Sequence, residues 1–466
     1  MRSFLLSIII AFTSVSLYAQ PITGNWYGIL KAQKTKLHIV FHINRTANGY
    51  STTMDSPDQG ASDIQTDTTK LEGNKITIEK KSMGMIYTGS YDATTSEFKG
   101  LFLQGPAQIP LTLTRTKEET KVVVRPQDPV DFPYYQEDVT FHNLKDSVTL
   151  AGTLTLPKDK KADKIVILIT GSGPQNRNEE LKQFNHRPFL VWSDWLTCHG
   201  IGVLRYDDRG IGSSTGDFLK ATTADFATDA EAAIDFIRSR SDLKDMQIGL
   251  LGHSEGGMIA PMVASKDSRV KFIVLLAGPG VPINELMLDQ AEKGQTSQHL
   301  PQNIIDLNMQ TAAMVYSYLK KHADEPNEKV EPKLKNILTK QFEKYPADAF
   351  KGTTADAVTG NEIKSYLGVW FRYFISFEPA DYLEKVKCPV LAMNGTLDMQ
   401  VDAKQNLPAI EAALKTGKNK HFEIAPMEGL NHLFQKAKTG NGDEYGEITE
   451  TVNPAALNKV TDWINK

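Results

Sequence analysis

A serine hydroxyl is a weak nucleophile until a neighbouring base takes its proton and a carboxylate orients that base. One serine of this chain is placed for such work. Gly252-His253-Ser254-Glu255-Gly256 reads G-x-S-x-G, directly after the apolar run Ile248-Gly249-Leu250-Leu251 and directly before Met258-Ile259-Ala260. The pattern predicts a strand, a sharp turn and a helix, with the hydroxyl of Ser254 pushed into the open at the helix N-terminus. Glycines flank it because side chains there would collide with the neighbouring strand and helix. The motif is short, and Gly212-Ser213-Ser214-Thr215-Gly216 also fits it. That second match follows the polar stretch Asp207-Asp208-Arg209-Gly210 rather than a strand. Ser214 is therefore read as a loop residue and Ser254 as the nucleophile.

Acid and base follow an elbow serine of this kind along the chain, the acid first. Asp398 comes straight after a buried strand, in Met393-Asn394-Gly395-Thr396-Leu397-Asp398. Asp402 competes, but it opens the next helical stretch and is better explained as its N-cap. Beyond Asp398 only His421 and His432 remain. His421 opens a strand, whereas His432 falls in the loop after it, on the rim where Ser254 is expected. The expected set is thus Ser254, Asp398 and His432. A tetrahedral intermediate also needs donors for its oxyanion. The backbone N–H of Glu255 is one. The second is expected from the loop Thr170-Gly171-Ser172-Gly173-Pro174-Gln175, with Ser172 preferred and Gly173 the alternative. A phosphate-binding loop is excluded there, because neither G-x-G-x-x-G nor Gly-Lys-Ser/Thr occurs.

These residues must be carried by alternating strands and helices. Lys164–Ile169, Gly202–Tyr206, Ile248–Leu251, Phe272–Leu276, Val390–Met393 and 421–424 are continuous apolar runs, as expected of strands buried on both faces. Helical patterns lie between them, and Val139–Phe141 with Val148–Leu156 reads as an opening hairpin. The expected fold class is α/β: a doubly wound, mostly parallel sheet over residues 135–466. Residues 283–384 break the alternation with helical pattern only and are read as a cap over the strand ends. Its aromatics (Trp370, Phe371, Tyr373, Phe374, Tyr316) and Met309 and Met314 either shape an apolar pocket or pack the cap. Upstream, 20–120 reads as six to eight short strands with turns at Asn48-Gly49 and Gly73-Asn74, a small all-β barrel-like unit. His38 and His42 share a strand face there and read as partly exposed strand residues. Residues 121–134, with Arg125-Pro126-Gln127-Asp128-Pro129, read as a linker.

Composition sets the remaining bounds. The chain has 466 residues, 40% hydrophobic and 23% charged, with formal charge −4, which argues against nucleic acid and against a basic membrane-binding face. Residues 1–19 pair Arg2 with the apolar run Phe4–Phe12 and a small residue at Ala19, the pattern of a cleaved signal peptide, so export to the periplasm or medium is expected. No later stretch reaches the length of a membrane span. Cys198 and Cys388 are read as buried free thiols. The histidines and cysteines show no metal-ligand spacing, and no cofactor is expected.

Taken in order, the glycine loop at 171–175, Arg205-Tyr206-Asp207-Asp208-Arg209-Gly210, the Ser254 elbow, Asn394-Gly395-Thr396-Leu397-Asp398 and Asn431-His432 resemble the α/β-hydrolase superfamily, in its bacterial carboxylesterase and serine-aminopeptidase-like branch. Thr170 departs from relatives that carry histidine before the glycine. The resemblance implies a structural part for Asp208 and Arg209, and the β unit is similar to the accessory domain of certain exported bacterial esterases. The implied activity is hydrolysis of small carboxylic esters. Cleavage of amides or short peptides is the alternative, which would need an acidic anchor such as Glu362, Asp381 or Glu384. An inert binding protein is a third reading, disfavoured by the intact serine, acid and histidine.

Overall fold

The computed structural model describes residues 22–32, 35–57, 61–104, 107–117, 123–158, 162–350 and 354–466. The expected signal peptide lies outside them. Two antiparallel sheets open the chain. One holds β1 (Gly24–Ala32), β2 (Thr35–Thr46), β3 (Gly49–Ser56) and β4 (Ala61–Gln65), and the other β5 (Thr68–Glu72), β6 (Lys75–Lys80), β7 (Met85–Asp92), β8 (Glu97–Gln104) and β9 (Ala107–Leu113). Mutual backbone bonds between Tyr27 and Thr114 (2.8 Å each) bring the end of β9 to β1, and Trp26, Phe41, Tyr87 and Phe98 fill the interior. Nine strands thus stand where the sequence predicts six to eight. Among them β4 and β5 are short, mostly exposed and polar, with little apolar alternation to read. His42 is half-buried between Asn25 Oδ1 and Asp55 Oδ2, each 2.8 Å away.

The chain then enters an eight-stranded sheet. Its strands are β10 (Tyr135–Asn143), β11 (Val148–Leu156), β12 (Lys164–Ile169), β13 (Gly202–Tyr206), β14 (Gln247–His253), β15 (Val270–Leu276), β16 (Val390–Gly395) and β17 (Phe422–Met427), in the spatial order β10-β11-β13-β12-β14-β15-β16-β17. All neighbours from β13 to β17 are parallel; β10 and β11 pair antiparallel at one edge. The apolar runs are continuous because both faces are covered. Ile165, Ile167 and Ile169 of β12 pack into one core with α2 (Thr223–Ser239) and α3 (Gly256–Ala264), while Val166 and Leu168 pack into the other with α1 (Pro188–Cys198) and α11 (Pro454–Asn465). This is the α/β-hydrolase architecture that the sequence predicts.

Residues 283–384 contain α4 (Ile283–Ser297), α5 (Gln302–Lys321), α6 (Asn327–Phe342), α7 (Ala355–Tyr366), α8 (Val369–Phe374) and α9 (Ala380–Leu383), with no strand among the described residues. Val315, Leu319, Leu334, Leu338 and Ile375 give this cap its own core. Tyr316 and Phe371 pack there. Arg372 ties down the carbonyls of Ala323 and Glu325 at 3.0 Å each. Most of the cap aromatics thus serve packing. No helix among the described residues is long and apolar enough to cross a membrane.

Two details differ from expectation or extend it. Cys198 is exposed rather than buried, and Cys388 is half-buried; both are free thiols. On α1 the buried face runs through Phe189, Trp192, Ser193, Leu196 and Thr197, and Cys198 sits one further step round the helix, turned outward. In the stretch before β10, Arg125 is buried and donates to the carbonyls of Phe184 (2.8 Å), Tyr445 (2.9 Å), Glu450 (3.2 Å) and Ile448. That strap fastens the entry of the hydrolase domain to its C-terminal region.

Candidate active site

The turn after β14 is built around close backbone approaches. A Cβ on Gly252 would lie 2.0 Å from the Gly256 carbonyl oxygen, and one on Gly256 would lie 2.2 Å from the Ile169 carbonyl oxygen at the end of β12. Only glycine fits where strand, turn and helix touch. Between them Ser254 takes a φ of 52°, a left-handed conformation that non-glycine residues rarely adopt. Its backbone N–H bonds Leu276 O at 2.9 Å, its side chain is half-exposed, and α3 begins two residues later. Ser214, by contrast, is buried in a loop, donating to Asp207 O (2.8 Å) and accepting from the Ala151 N–H (3.0 Å).

Asp398 and His432 meet on the same rim. His432 Nδ1 lies 2.8 Å from Asp398 Oδ2, and both side chains are buried. With the proton on Nδ1, Nε2 is left as a lone-pair acceptor. Asp398 Oδ1 is fixed separately by the N–H groups of Gln400 (2.8 Å) and Val401 (2.9 Å). The His432 loop is shaped by Asn431, whose Oδ1 accepts from Leu433 N (3.0 Å) and Gln435 N (2.9 Å). It passes so close to the end of β16 that a Cβ on Gly395 would lie 2.2 Å from Leu430 O. Asp402 caps α10 (Ala403–Thr416) by accepting from the N–H groups of Lys404 (2.6 Å) and Gln405 (3.3 Å), as the sequence predicts. The remaining link, from Ser254 Oγ to His432, is not a formed hydrogen bond among the described residues. Catalytic hydrogen bonds are often long before substrate binds and tighten in the complex.

The glycine loop lies against Ser254: a Cβ on Gly171 would lie 3.2 Å from Ser254 Cβ. The N–H groups of Ser172, Gly173 and Glu255 have no protein acceptor among the described residues. Behind the loop, Asp208 accepts from Thr170 Oγ1 (2.8 Å) and Gln175 N (2.9 Å), so the threonine that replaces the usual histidine is a loop anchor. Burial holds the Asp208 carboxyl well above the ordinary aspartate range. Asp207 is clasped by Arg177, with Nη2 to Oδ2 at 2.8 Å. Arg209 is buried against Asp229, with Nε to Oδ2 at 2.7 Å and Nη2 to Oδ1 at 2.9 Å.

Three side chains enter this site without a sequence signal that marks them. His253, immediately before Ser254, places Nδ1 2.9 Å from Glu179 Oε1 and Nε2 3.0 Å from the His432 carbonyl oxygen. Its ring centroid is 4.8 Å from that of His432. Glu179 Oε1 also accepts from the Gly171 N–H at 2.8 Å. Burial works against protonation of His253, but the Glu179 carboxylate, the His432 carbonyl and the Asp398 charge together keep its imidazole above the ordinary histidine range. Glu255 turns its carboxyl inward, accepting from Thr223 Oγ1 (2.6 Å) and from Trp370 Nε1 of the cap (2.9 Å). Burial raises that carboxyl above the usual glutamate range. Trp370 is thus the cap aromatic that reaches the elbow. Of the acids considered as amine anchors, Asp381 and Glu384 are exposed and Glu362 is half-buried.

The sheet order, the elbow and the cap together define an α/β hydrolase. The family model described as "Serine aminopeptidase, S33" matches residues 189–436, more than half of the chain, and the chain belongs to that family. It is 27% identical to esterase EstD of Thermotoga maritima over 327 residues, 68% of this chain and 65% of that protein. It is 35% identical to the putative hydrolase YtaP of Bacillus subtilis over 118 residues, 22% of this chain and 38% of that one. The chain therefore spans less than two thirds of the length of these curated relatives. Among solved structures, the esterase Pf2001 of Pyrococcus furiosus is similar at 18% identity and a TM-score of 0.42, over 74% of this chain and 96% of that one.

Proposed function

We propose that this protein is a serine hydrolase that cleaves small carboxylic esters through an acyl-enzyme. Ser254 Oγ attacks the acyl carbon while His432 Nε2 takes its proton. The oxyanion that forms is held by the N–H groups of Glu255 and Ser172. As the tetrahedral intermediate collapses, the alkoxy group leaves with the proton returned by His432. Water, deprotonated by the same histidine, then attacks the acyl carbon, the bond to Ser254 breaks as Oγ takes the proton back from His432, and the acid is released. Asp398 keeps the His432 proton on Nδ1 and steadies the imidazolium that forms in each half-reaction.

The observation that supports this reading most is the 2.8 Å bond from His432 Nδ1 to Asp398 Oδ2, in a loop whose His432 carbonyl accepts from His253, the residue before a serine held at a φ of 52°. The test is a panel of nitrophenyl esters of rising acyl length beside aminoacyl arylamides, with Ser254→Ala as the blank. Ester turnover that vanishes in Ser254→Ala is the expected result. Arylamide turnover without ester turnover would move the assignment to the peptidase reading that the family name suggests. Turnover of neither between pH 6 and 9 would refute both. The same reading includes export: the secreted protein should begin at Gln20, and a chain that keeps Met1 would refute that part.

A further inference from the structure

We propose that Glu179 and His253 form a positioning clamp that holds the glycine loop and the His432 loop at fixed places on either side of Ser254, a role that rests on the functional reading above. The hydrogen-bond inventory sets the protonation. The His432 carbonyl can only accept, so His253 Nε2 carries a proton across that 3.0 Å contact. Glu179 Oε1 already accepts from the Gly171 N–H at 2.8 Å, so the 2.9 Å contact to His253 Nδ1 is also donated by the ring. Both ring nitrogens are then protonated and both are committed. His253 is a buried imidazolium paired with a buried carboxylate, at 7% and 4% exposure, and not a second base.

Stability alone does not explain such a pair. A buried ion pair is often no more stabilising than well-packed apolar side chains in its place. Glu179 is in addition held at a φ of 51°, a conformation that costs free energy in any residue but glycine. What the pair does is connect. One carboxylate oxygen fixes the backbone of Gly171, the loop residue nearest Ser254, and through His253 it fixes the backbone of the residue whose ring is the base. The clamp spans residues 74 and 179 positions apart in the chain. A Cβ on Gly171 would lie 3.4 Å from Glu179 Oε1 and 3.2 Å from Ser254 Cβ, so the loop is enclosed between carboxylate and nucleophile.

The test compares Glu179→Ala with Glu179→Gln on p-nitrophenyl butyrate, with active sites counted by a fluorophosphonate probe that labels Ser254. Misplacing catalytic groups by about 1 Å costs on the order of a hundredfold in rate. Glu179→Ala should therefore lose at least about tenfold in kcat per labelled site, with KM within about threefold. Glutamine keeps an acceptor oxygen in the place of Oε1 for both Gly171 N–H and the protonated Nδ1 of His253, and Nε2–H still reaches His432, so only the counter-charge is lost. It should recover most of the loss. A merely structural role would lower the number of labelled sites and leave kcat per site unchanged. Should Glu179→Ala lose its cooperative thermal transition, His253→Asn takes its place, since that side chain is too short to bridge both partners. Wild-type labelling with kcat per site in Glu179→Ala or its substitute within threefold of wild type would overturn the clamp and leave the functional reading standing. So would a glutamine variant as slow as the alanine one. Wild-type protein that neither labels at Ser254 nor hydrolyses any ester would overturn the functional reading, and the clamp with it.

Discussion

Replacing Asp398 by asparagine should turn the neighbouring histidine the wrong way round. Asp398 Oδ1 accepts from the N–H groups of Gln400 (2.8 Å) and Val401 (2.9 Å). An asparagine must keep its oxygen there, because its amide nitrogen would set donor against donor. The NH2 group is then forced onto the His432 side, where Nδ1 lies 2.8 Å from the present Oδ2. To accept from it, His432 must give up the Nδ1 proton and carry it on Nε2, which can no longer take the proton of Ser254. The same exchange in a serine protease triad costs about 10⁴-fold in kcat, or about 5.4 kcal/mol of transition-state stabilisation. We expect a loss of that order here. The fold should survive, since the two backbone bonds at Oδ1 are kept and the amide replaces a carboxylate of the same shape. The assay is kcat on a nitrophenyl ester at pH 8, with a thermal melt of each protein. A variant within tenfold of wild type would refute the reasoning: either His432 is not the base, or its tautomer is not set by Asp398.

Three further outcomes follow from buried polar contacts. Arg209→Met should destabilise the protein by about 3–5 kcal/mol in urea unfolding, because it leaves Asp229 buried at 1% exposure without its cation; a loss under 1 kcal/mol would contradict that. His186 is buried, donates to Thr451 O at 3.0 Å, and burial pushes its pKa from 6.5 down to about 3. Between those values the unfolded chain binds a proton that the folded one refuses, so this contribution is fully present above pH 6.5 and is lost as the pH falls towards 3, at up to about 1.4 kcal/mol per pH unit. His186→Gln, which keeps the donor and removes the titration, should flatten the pH dependence of unfolding free energy by one proton between pH 6 and 4, and an unchanged slope would refute the assignment. Trp370→Phe removes the 2.9 Å bond to the Glu255 carboxyl, about 1.5–3 kcal/mol of local anchoring. Amide exchange in residues 369–374 should speed up at least tenfold while α3 is unaffected, and equal protection in both proteins would show that the cap is held by packing alone.

Much of this molecule could be read from the chain itself. Strand runs such as Lys164–Ile169 and Gly202–Tyr206 are found at the predicted bounds, because a strand buried on both faces needs apolar residues at every position. The elbow glycines were legible for a related reason: the close approaches at Gly252 and Gly256 leave no room for any other residue. Asp402 was legible as a cap because its partners, Lys404 and Gln405, are its neighbours in sequence. The pairing of Asp398 with His432 was legible through chain order, since each follows a strand of the same sheet and parallel strands deliver their ends to one rim.

Other features belong to the tertiary structure. Nothing near Glu179 announces a partner 74 residues away; it stands in an irregular loop without periodicity, and only packing brings it to His253. The Trp370 bond to Glu255 joins residues 115 apart, and Arg125 reaches carbonyls 320, 323 and 325 positions away. Strands β4 and β5 carry little pattern because most of their residues are exposed and polar, and the exposure of Cys198 was missed because a single step of helix phase decides burial. The sequence by itself determined what repeats or lies close along the chain: element type, turns, caps, and the order of Ser254, Asp398 and His432 along it. Which isolated polar side chains meet depends on how the finished sheet and its loops fold back on one another. A hydrogen bond works over about 3 Å, a distance that separation along the sequence does not constrain.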